Sequence, residues 1–286
     1  MPNSRRPPRS PKIGVFDSGV GGLTVLRALV DRIPDASYLY FGDTARLPYG
    51  SKSAATVAHY AVGAVRYLQD QGADLLVIAC NTATALALDE IKAVAGVEVI
   101  GVVEPGADAA AAASRKRNVV VIGTDATISS HAYRRALEAR NVAVREKACP
   151  LFVPLVEEGW VEHPVTEQVA KIYLAEAFSP EVHSEDARDA DVLLLGCTHY
   201  PLIKPLLRRV APEHVAIVDS AESTALDVAR QLHVELPPSS TRTKNEPSAV
   251  RQLKFFATDS AEKFRKMGTR FLGLPVEDVV HVDLKE

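Results

Sequence analysis

The sequence is short of cysteine, tryptophan and methionine, and it contains no long hydrophobic run. There are three cysteines, one tryptophan and two methionines in 286 residues. An odd, low cysteine count does not describe a disulfide framework, so the chain reads as a cytoplasmic protein with free thiols. No stretch approaches the roughly 20 uninterrupted apolar residues that span a bilayer, and no membrane association is expected. Charge of neither sign dominates: 33 Lys and Arg stand against 36 Asp and Glu, a net −3. Without a basic face, direct nucleic-acid binding is not expected. Only residues 1–12 depart from this balance, with Arg5, Arg6 and Arg9 set among four prolines. That segment lacks the apolar centre of a secretory signal and reads as a disordered, solvated tail.

Hydrophobic residues make up 47% of the chain, enough for a sizeable core. The length suits two small domains, since domains cluster at roughly 100–150 residues. Short runs rich in Val, Ile and Leu recur at Ile13–Phe16, Ser37–Phe41, Leu75–Ala79, Val97–Val102, Val119–Ile122, Val192–Leu195 and Val215–Val218. They lack polar alternation, as strands of a parallel sheet covered on both faces do. Amphipathic stretches lie between them: Ala54–Gln71, Thr82–Val94, Ser129–Ala139, Pro164–Phe178 and Ser223–Leu232. The alternation predicts an α/β fold with mainly parallel sheets.

A weak internal repeat divides the chain. Ile13-Gly-Val-Phe-Asp-Ser-Gly and Val120-Val-Ile-Gly-Thr-Asp-Ala each lead from a strand into a helix. Leu75-Leu-Val-Ile-Ala-Cys-Asn-Thr and Val192-Leu-Leu-Leu-Gly-Cys-Thr-His do the same further on. Asp17 precedes Cys80 by 63 residues, and Thr124 precedes Cys197 by 73. The pattern predicts two pseudo-symmetric, doubly wound lobes with an active site in the cleft between them. The first lobe comprises residues 13–107 with 221–286, and the second comprises 108–220. Pro237–Pro247 reads as an exposed loop.

Cys80 and Cys197 each follow an apolar strand run and open a helix. Ligands of open α/β sheets bind at that end of the strands. Unpaired N–H groups there are expected to make a thiol more acidic. A single cysteine behind a strand is ordinarily a small hydrophobe. Two at equivalent strand ends, flanked by Asn-Thr and Thr-His, read instead as an acid/base pair. Cys149, in Ala148-Cys-Pro-Leu-Phe, lacks polar companions and reads as structural. Cys197 and His199 are the only close metal-ligand pair, too few for a zinc site, so no metal is expected. Gly19, Gly21 and Gly22 do not complete a dinucleotide loop. They read as a tight turn whose N–H groups could hold a carboxylate.

Five motifs in order across residues 13–230 resemble the glutamate racemases of the Asp/Glu racemase superfamily. They are Gly14-Val-Phe-Asp-Ser-Gly-Val-Gly-Gly-Leu-Thr-Val, Tyr40-Phe-Gly-Asp-Thr-Ala-Arg-Leu-Pro-Tyr-Gly, Ala79-Cys-Asn-Thr-Ala-Thr-Ala, Pro154-Leu-Val-Glu-Glu-Gly and Leu195-Gly-Cys-Thr-His-Tyr-Pro-Leu. The tail and the chain beyond about Pro237 match less well. The resemblance implies cofactor-independent interconversion of L- and D-glutamate by two cysteines, supplying D-glutamate for peptidoglycan. It implies that Cys80 takes the proton from D-glutamate and Cys197 takes it from L-glutamate. Asp17 resembles the acid beside the first cysteine and the substrate amine. Glu157 and His199 resemble groups that tune the second. Glu157 is preferred to Glu158 for its place directly after Pro154-Leu-Val. Ser18, Tyr49 and Gly50 resemble a clamp for the side-chain carboxylate. Asn81, Thr82, Thr124 and Thr198, with His199, resemble contacts to the α-carboxylate and amine, and Thr127 is a weaker match. The resemblance also implies a homodimer. Aspartate is the rival substrate, and restraint of DNA gyrase is a rival binding role carried by some relatives.

Overall fold

The computed structural model of the chain describes residues 10–179, 190–234 and 252–284. The expected loop Pro237–Pro247 and nearly all of the N-terminal tail lie outside the described residues. Two parallel sheets organise the rest. The first contains β1 (Lys12–Asp17), β2 (Ser37–Gly42), β3 (Leu75–Ile78), β4 (Glu98–Gly101), β9 (Leu253–Ala257) and β10 (Val279–His281), in the order β10-β9-β2-β1-β3-β4. The second contains β5 (Asn118–Gly123), β6 (Ala143–Ala148), β7 (Val192–Gly196) and β8 (Ala216–Asp219), in the order β6-β5-β7-β8. Four strands of the first sheet, β2-β1-β3-β4, therefore repeat the order of the whole second sheet. Strand order reverses between β1 and β3, and again between β5 and β7. Those are the two points where a crevice opens beyond the carboxyl ends of the strands.

The buried runs form the central strands because Val, Ile and Leu fit a pleated surface covered on both faces. β3, β5 and β7 are buried at every position. The chain passes from the first sheet to the second through α4 (Val103–Ala113) and returns along α10 (Ser220–Gln231). α10 packs on both α4 and α1 (Leu23–Arg32). One apolar cluster runs through this junction, linking Val15, Leu26 and Ala225 on one side to Val120 and Leu195 on the other.

Several elements differ from expectation. β1 begins at Lys12, whose N–H donates to the Asp74 carboxylate at 2.8 Å, one residue inside the expected tail. The expected helix Ser129–Ala139 is two pieces, α5 (Asp125–Ser129) and α6 (Ala132–Glu138). The Ser130 hydroxyl accepts from Ala132 N and donates to Thr127 O, competing with the helical ladder, and His131 turns to φ 55°. β6 reads Ala-Val-Arg-Glu-Lys-Ala and lies at a sheet edge, so its charged, half-exposed sequence hides it. β9, β10 and α11 (Ala261–Leu272) were not foreseen. α11 buries only Phe264, Gly268, Phe271 and Leu272 beneath a charged outer face.

Candidate active site

Both switch points open onto one cavity of about 400 Å³ between the sheets. Ser18, Tyr49, Gly50, Cys80, Asn81 and Thr82 line it from the first lobe. Thr124, Glu157, Cys197, Thr198 and His199 line it from the second. Leu47, Pro48, Pro150, Val153 and Pro154 supply apolar wall that sequence reading did not single out. Two of the residues singled out do not reach the cavity wall. Asp17 and Thr127 are both buried behind it.

Cys80 occupies the cap position of α3 (Asn81–Val94), where its sulfur accepts from Ala83 N at 3.4 Å. Its thiol donates to the Ser18 hydroxyl at 3.5 Å. The expected gain in acidity is not what the surroundings produce. Burial, followed by the charge of Asp17, pushes the Cys80 thiol up to about 12, against the smaller effect of its hydrogen bonds. Asp17 is itself held above the ordinary carboxyl range, first by burial. Its Oδ2 accepts from Gly19 N at 2.9 Å, and its Oδ1 has no hydrogen-bond partner.

The second thiol sits in a different field. Cys197 Sγ lies 4.0 Å from His199 Nδ1, and His199 Nε2 lies 3.1 Å from Glu157 Oε1. Burial works against a charged imidazole here. Hydrogen bonds to Cys197 and Glu157 outweigh it and raise the ring to about 10. Glu158 is exposed at the end of α7 (Phe152–Glu157) and takes no part in this chain of contacts. α11 supports the arrangement from outside. Arg270 donates to the carbonyl of Glu157 at 3.1 Å, and the Phe271 ring stands edge-on to His199 at 5.2 Å. Nothing in the polar sequence of α11 signalled this.

The glycine turn after β1 holds a carboxylate as expected, but it is that of Asp17, which accepts from Gly19 N at 2.9 Å. Gly19, Gly21 and Gly22 do not line the cavity. A Cβ on Gly21 would fall 2.3 Å from Thr198 Oγ1 and 2.6 Å from His199 Nδ1. One on Gly22 would fall 2.5 Å from Asp17 Cβ. Gly21 thus lets the second lobe approach the end of β1, where Thr24 donates to Thr198 O at 3.0 Å.

Hydroxyls join the lobes on the other side. Thr82 Oγ1 lies 3.0 Å from Thr124 Oγ1 and 3.2 Å from Thr127 Oγ1, and Thr124 caps α5. Thr127 therefore lies behind the wall, in contact with its two neighbours. The Tyr49 hydroxyl donates to Asp43 Oδ2 at 2.6 Å, and Thr258 donates to the other carboxylate oxygen. Asp43 belongs to the second sequence motif but had been given no role. Among the described residues no three His, Cys, Asp or Glu side chains group to hold a metal ion, and no helix is long and apolar enough to cross a membrane.

The Asp/Glu/hydantoin racemase model matches residues 13–227. The chain is 61% identical over 289 residues to a glutamate racemase of Koribacter versatilis, covering 96% of this chain and 98% of the relative. Its fold superposes with a TM-score of 0.84 on a glutamate racemase isoform of Bacillus anthracis, at 34% identity over 96% of this chain and 98% of that one. The glutamate racemase of Francisella tularensis, solved with D-glutamate, superposes with a TM-score of 0.81 at 34% identity, over 96% of this chain and 98% of that one.

Proposed function

The chain belongs to the Asp/Glu/hydantoin racemase family, and from that premise we propose that it interconverts L- and D-glutamate by proton transfer between Cys80, Cys197 and the α-carbon. The observation that carries this reading is the pair of thiols, one from each of two equivalent strand ends, on one cavity. One thiolate takes the α-proton and becomes a thiol. The opposing thiol gives its proton to the other face of the carbanion and becomes a thiolate, so net charge is unchanged. The two sulfurs are electrostatically unlike. Cys80 is held as the thiol, whereas Cys197 lies beside an imidazole that carries its proton at neutral pH. This state suits reaction from L-glutamate, with Cys197 as base and Cys80 as acid. A substrate ammonium placed near Asp17 and Cys80 would favour the thiolate at Cys80 and serve the reverse direction.

Thr82, Thr124, Thr198 and Asn81 supply donors for the α-carboxylate, and the threonine hydroxyls can accept from the amine. The Tyr49 hydroxyl is committed to Asp43, so Tyr49 and Gly50 would meet the side-chain carboxylate through main-chain N–H groups beside Ser18. Residues 13–107 with 221–286 form one lobe in this reading, and 108–220 form the other. The chemistry needs no cofactor. It does need reduced thiols, and all three cysteines are free, which favours a cytoplasmic enzyme. The D-glutamate made there would serve peptidoglycan and hence cell shape, and the working unit would be a homodimer.

Turnover in D2O with a chelator and no added pyridoxal phosphate tests the proposal. One deuterium should enter the α-position per turnover. Cys80→Ala and Cys197→Ala should each lose at least about a thousandfold in rate. Near-full rates in both variants, or activity only with added pyridoxal phosphate or metal, would remove the two-thiol reading. Turnover of aspartate but not glutamate would reassign the substrate.

A further inference from the structure

Tyr133 lies outside every motif and does not line the cavity, yet it touches four parts of the molecule that meet beneath it. It is fully buried on α6. Its ring lies so close under the end of β7 that a Cβ on Gly196 would stand 2.9 Å from Tyr133 Cε2. Gly196 is the residue before Cys197. On the crossover helix α4, a Cβ on Gly106 would stand 3.3 Å from the phenol oxygen. Ser220, at the start of the return helix α10, packs at the same spot, its Cβ 3.5 Å from that Gly106 position. The phenol proton goes to the first lobe, where Tyr133 donates to Asn81 Oδ1 at 2.6 Å.

Asn81 lines the cavity between Cys80 and Thr82. Its Nδ2 is buried and has no hydrogen-bond partner in the protein. A side-chain amide has a donor end and an acceptor end of nearly the same shape, so it is the partner that fixes which end faces where. Tyr133 takes the acceptor end. The phenol hydroxyl donates to Asn81 Oδ1, so the phenol proton is directed at Asn81. Turned over, Asn81 would offer an oxygen to an anionic substrate, and the two would repel.

We propose that Tyr133 is the positioning residue of Asn81, fixing the amide so that Nδ2 is the donor presented to the substrate's carboxylate. The inference rests on the reading of the cavity as a glutamate site. It adds a residue of the second lobe that sets a binding group of the first. A contact to a carboxylate present in both ground state and transition state appears in KM and leaves kcat largely unchanged.

Steady-state kinetics of Tyr133→Phe, Asn81→Ala and the double variant, in both directions, test this. Tyr133→Phe keeps the ring, and with it the packing under Gly196. It should raise KM about three- to tenfold, the range of one hydrogen bond, with kcat within about twofold. The double variant should be no worse than Asn81→Ala alone. Asn81→Asp keeps an acceptor for Tyr133 but replaces the donor with a charged oxygen that repels the carboxylate, so its KM should rise further. In the ligand-free protein, the Asn81 side-chain amide pair, identified by its loss in Asn81→Ala, should shift in the nitrogen–proton NMR spectrum of Tyr133→Phe. An unchanged KM in Tyr133→Phe, effects that multiply in the double variant, or an unmoved amide pair would overturn the proposal. Absence of glutamate turnover by the parent protein would overturn the substrate reading instead, and the NMR comparison, which needs no substrate, would still decide the role of Tyr133.

Discussion

At the scale of single residues, two chemically identical thiols have been given opposite surroundings. Cys80 is held protonated by burial and by the nearby charge of Asp17, whereas Cys197 faces the ring of His199. The groups around that ring are Cys197 and Thr198 on its own turn, Glu157 from α7, Phe271 from α11 and the charge of Asp17 behind. Because the folded ring titrates near 10, above its ordinary value of about 6.5, its favourable interactions are fully present below 6.5 and are lost as pH rises toward 10. Activity from L-glutamate should accordingly fall on an alkaline limb near pH 10. Glu157→Gln should move that limb toward neutrality by roughly one pH unit, since one of the two supporting bonds loses its charge. A pH–rate profile identical to that of the parent would show that Glu157 does not tune the ring. Glu157 and Glu158 part company because α7 ends between them, leaving the first side chain on the cavity and the next in solvent.

At the scale of elements, the second thiol depends on parts that looked unremarkable in sequence. The turn at Gly21 is a place where two lobes touch, and a methyl group there meets Thr198 and His199 at less than van der Waals distance. Gly21→Ala should keep the fold, because the obstruction is to side chains of the opposite lobe, yet lose at least about tenfold in kcat by displacing His199. Parent-like kcat would mean that the lobes can separate there at no cost to the chemistry. α11 carries a comparable burden. Phe271→Ala removes a fully buried ring beside His199, and should cost about 3–5 kcal/mol in chemical denaturation while lowering activity. Arg270→Ala should be milder in stability, since one edge of the α7 carbonyls returns to solvent. A loss of activity confined to Phe271→Ala would assign the support to the ring rather than to the guanidinium. α11 stayed illegible because its apolar stripe is narrow, and its partner, the loop after β7, is about 70 residues away in sequence.

At the scale of the whole molecule, the two sheets are separate but the core is not. An apolar cluster crosses the junction through α1 and α10, so thermal unfolding should be one cooperative transition followed alike by fluorescence and by circular dichroism. Two resolved transitions would show that the lobes fold independently. Glutamate bound between the lobes stabilises only the assembled form. At a hundred times its dissociation constant it should add about 2.7 kcal/mol to the free energy of unfolding. A midpoint unmoved by saturating glutamate would place its binding elsewhere, or nowhere.

The sequence by itself determined the α/β alternation, the repeated strand-end turns and the two cysteines they expose. These are local matters: buried β-branched runs, polar breaks and helix starts are written in consecutive residues. It did not determine the acidity of Cys80, which burial and Asp17 reverse, or that the glycine turn, besides holding the Asp17 carboxylate, admits the other lobe at Gly21. Nor did it reveal the props that Arg270, Phe271, Asp43 and Tyr133 provide. Those depend on groups far apart in the chain that meet only when the second sheet returns along α10, and the electrostatics of a buried group depend on what is near it in space. The two cysteines were thus legible as a pair, and only the tertiary structure made them unlike.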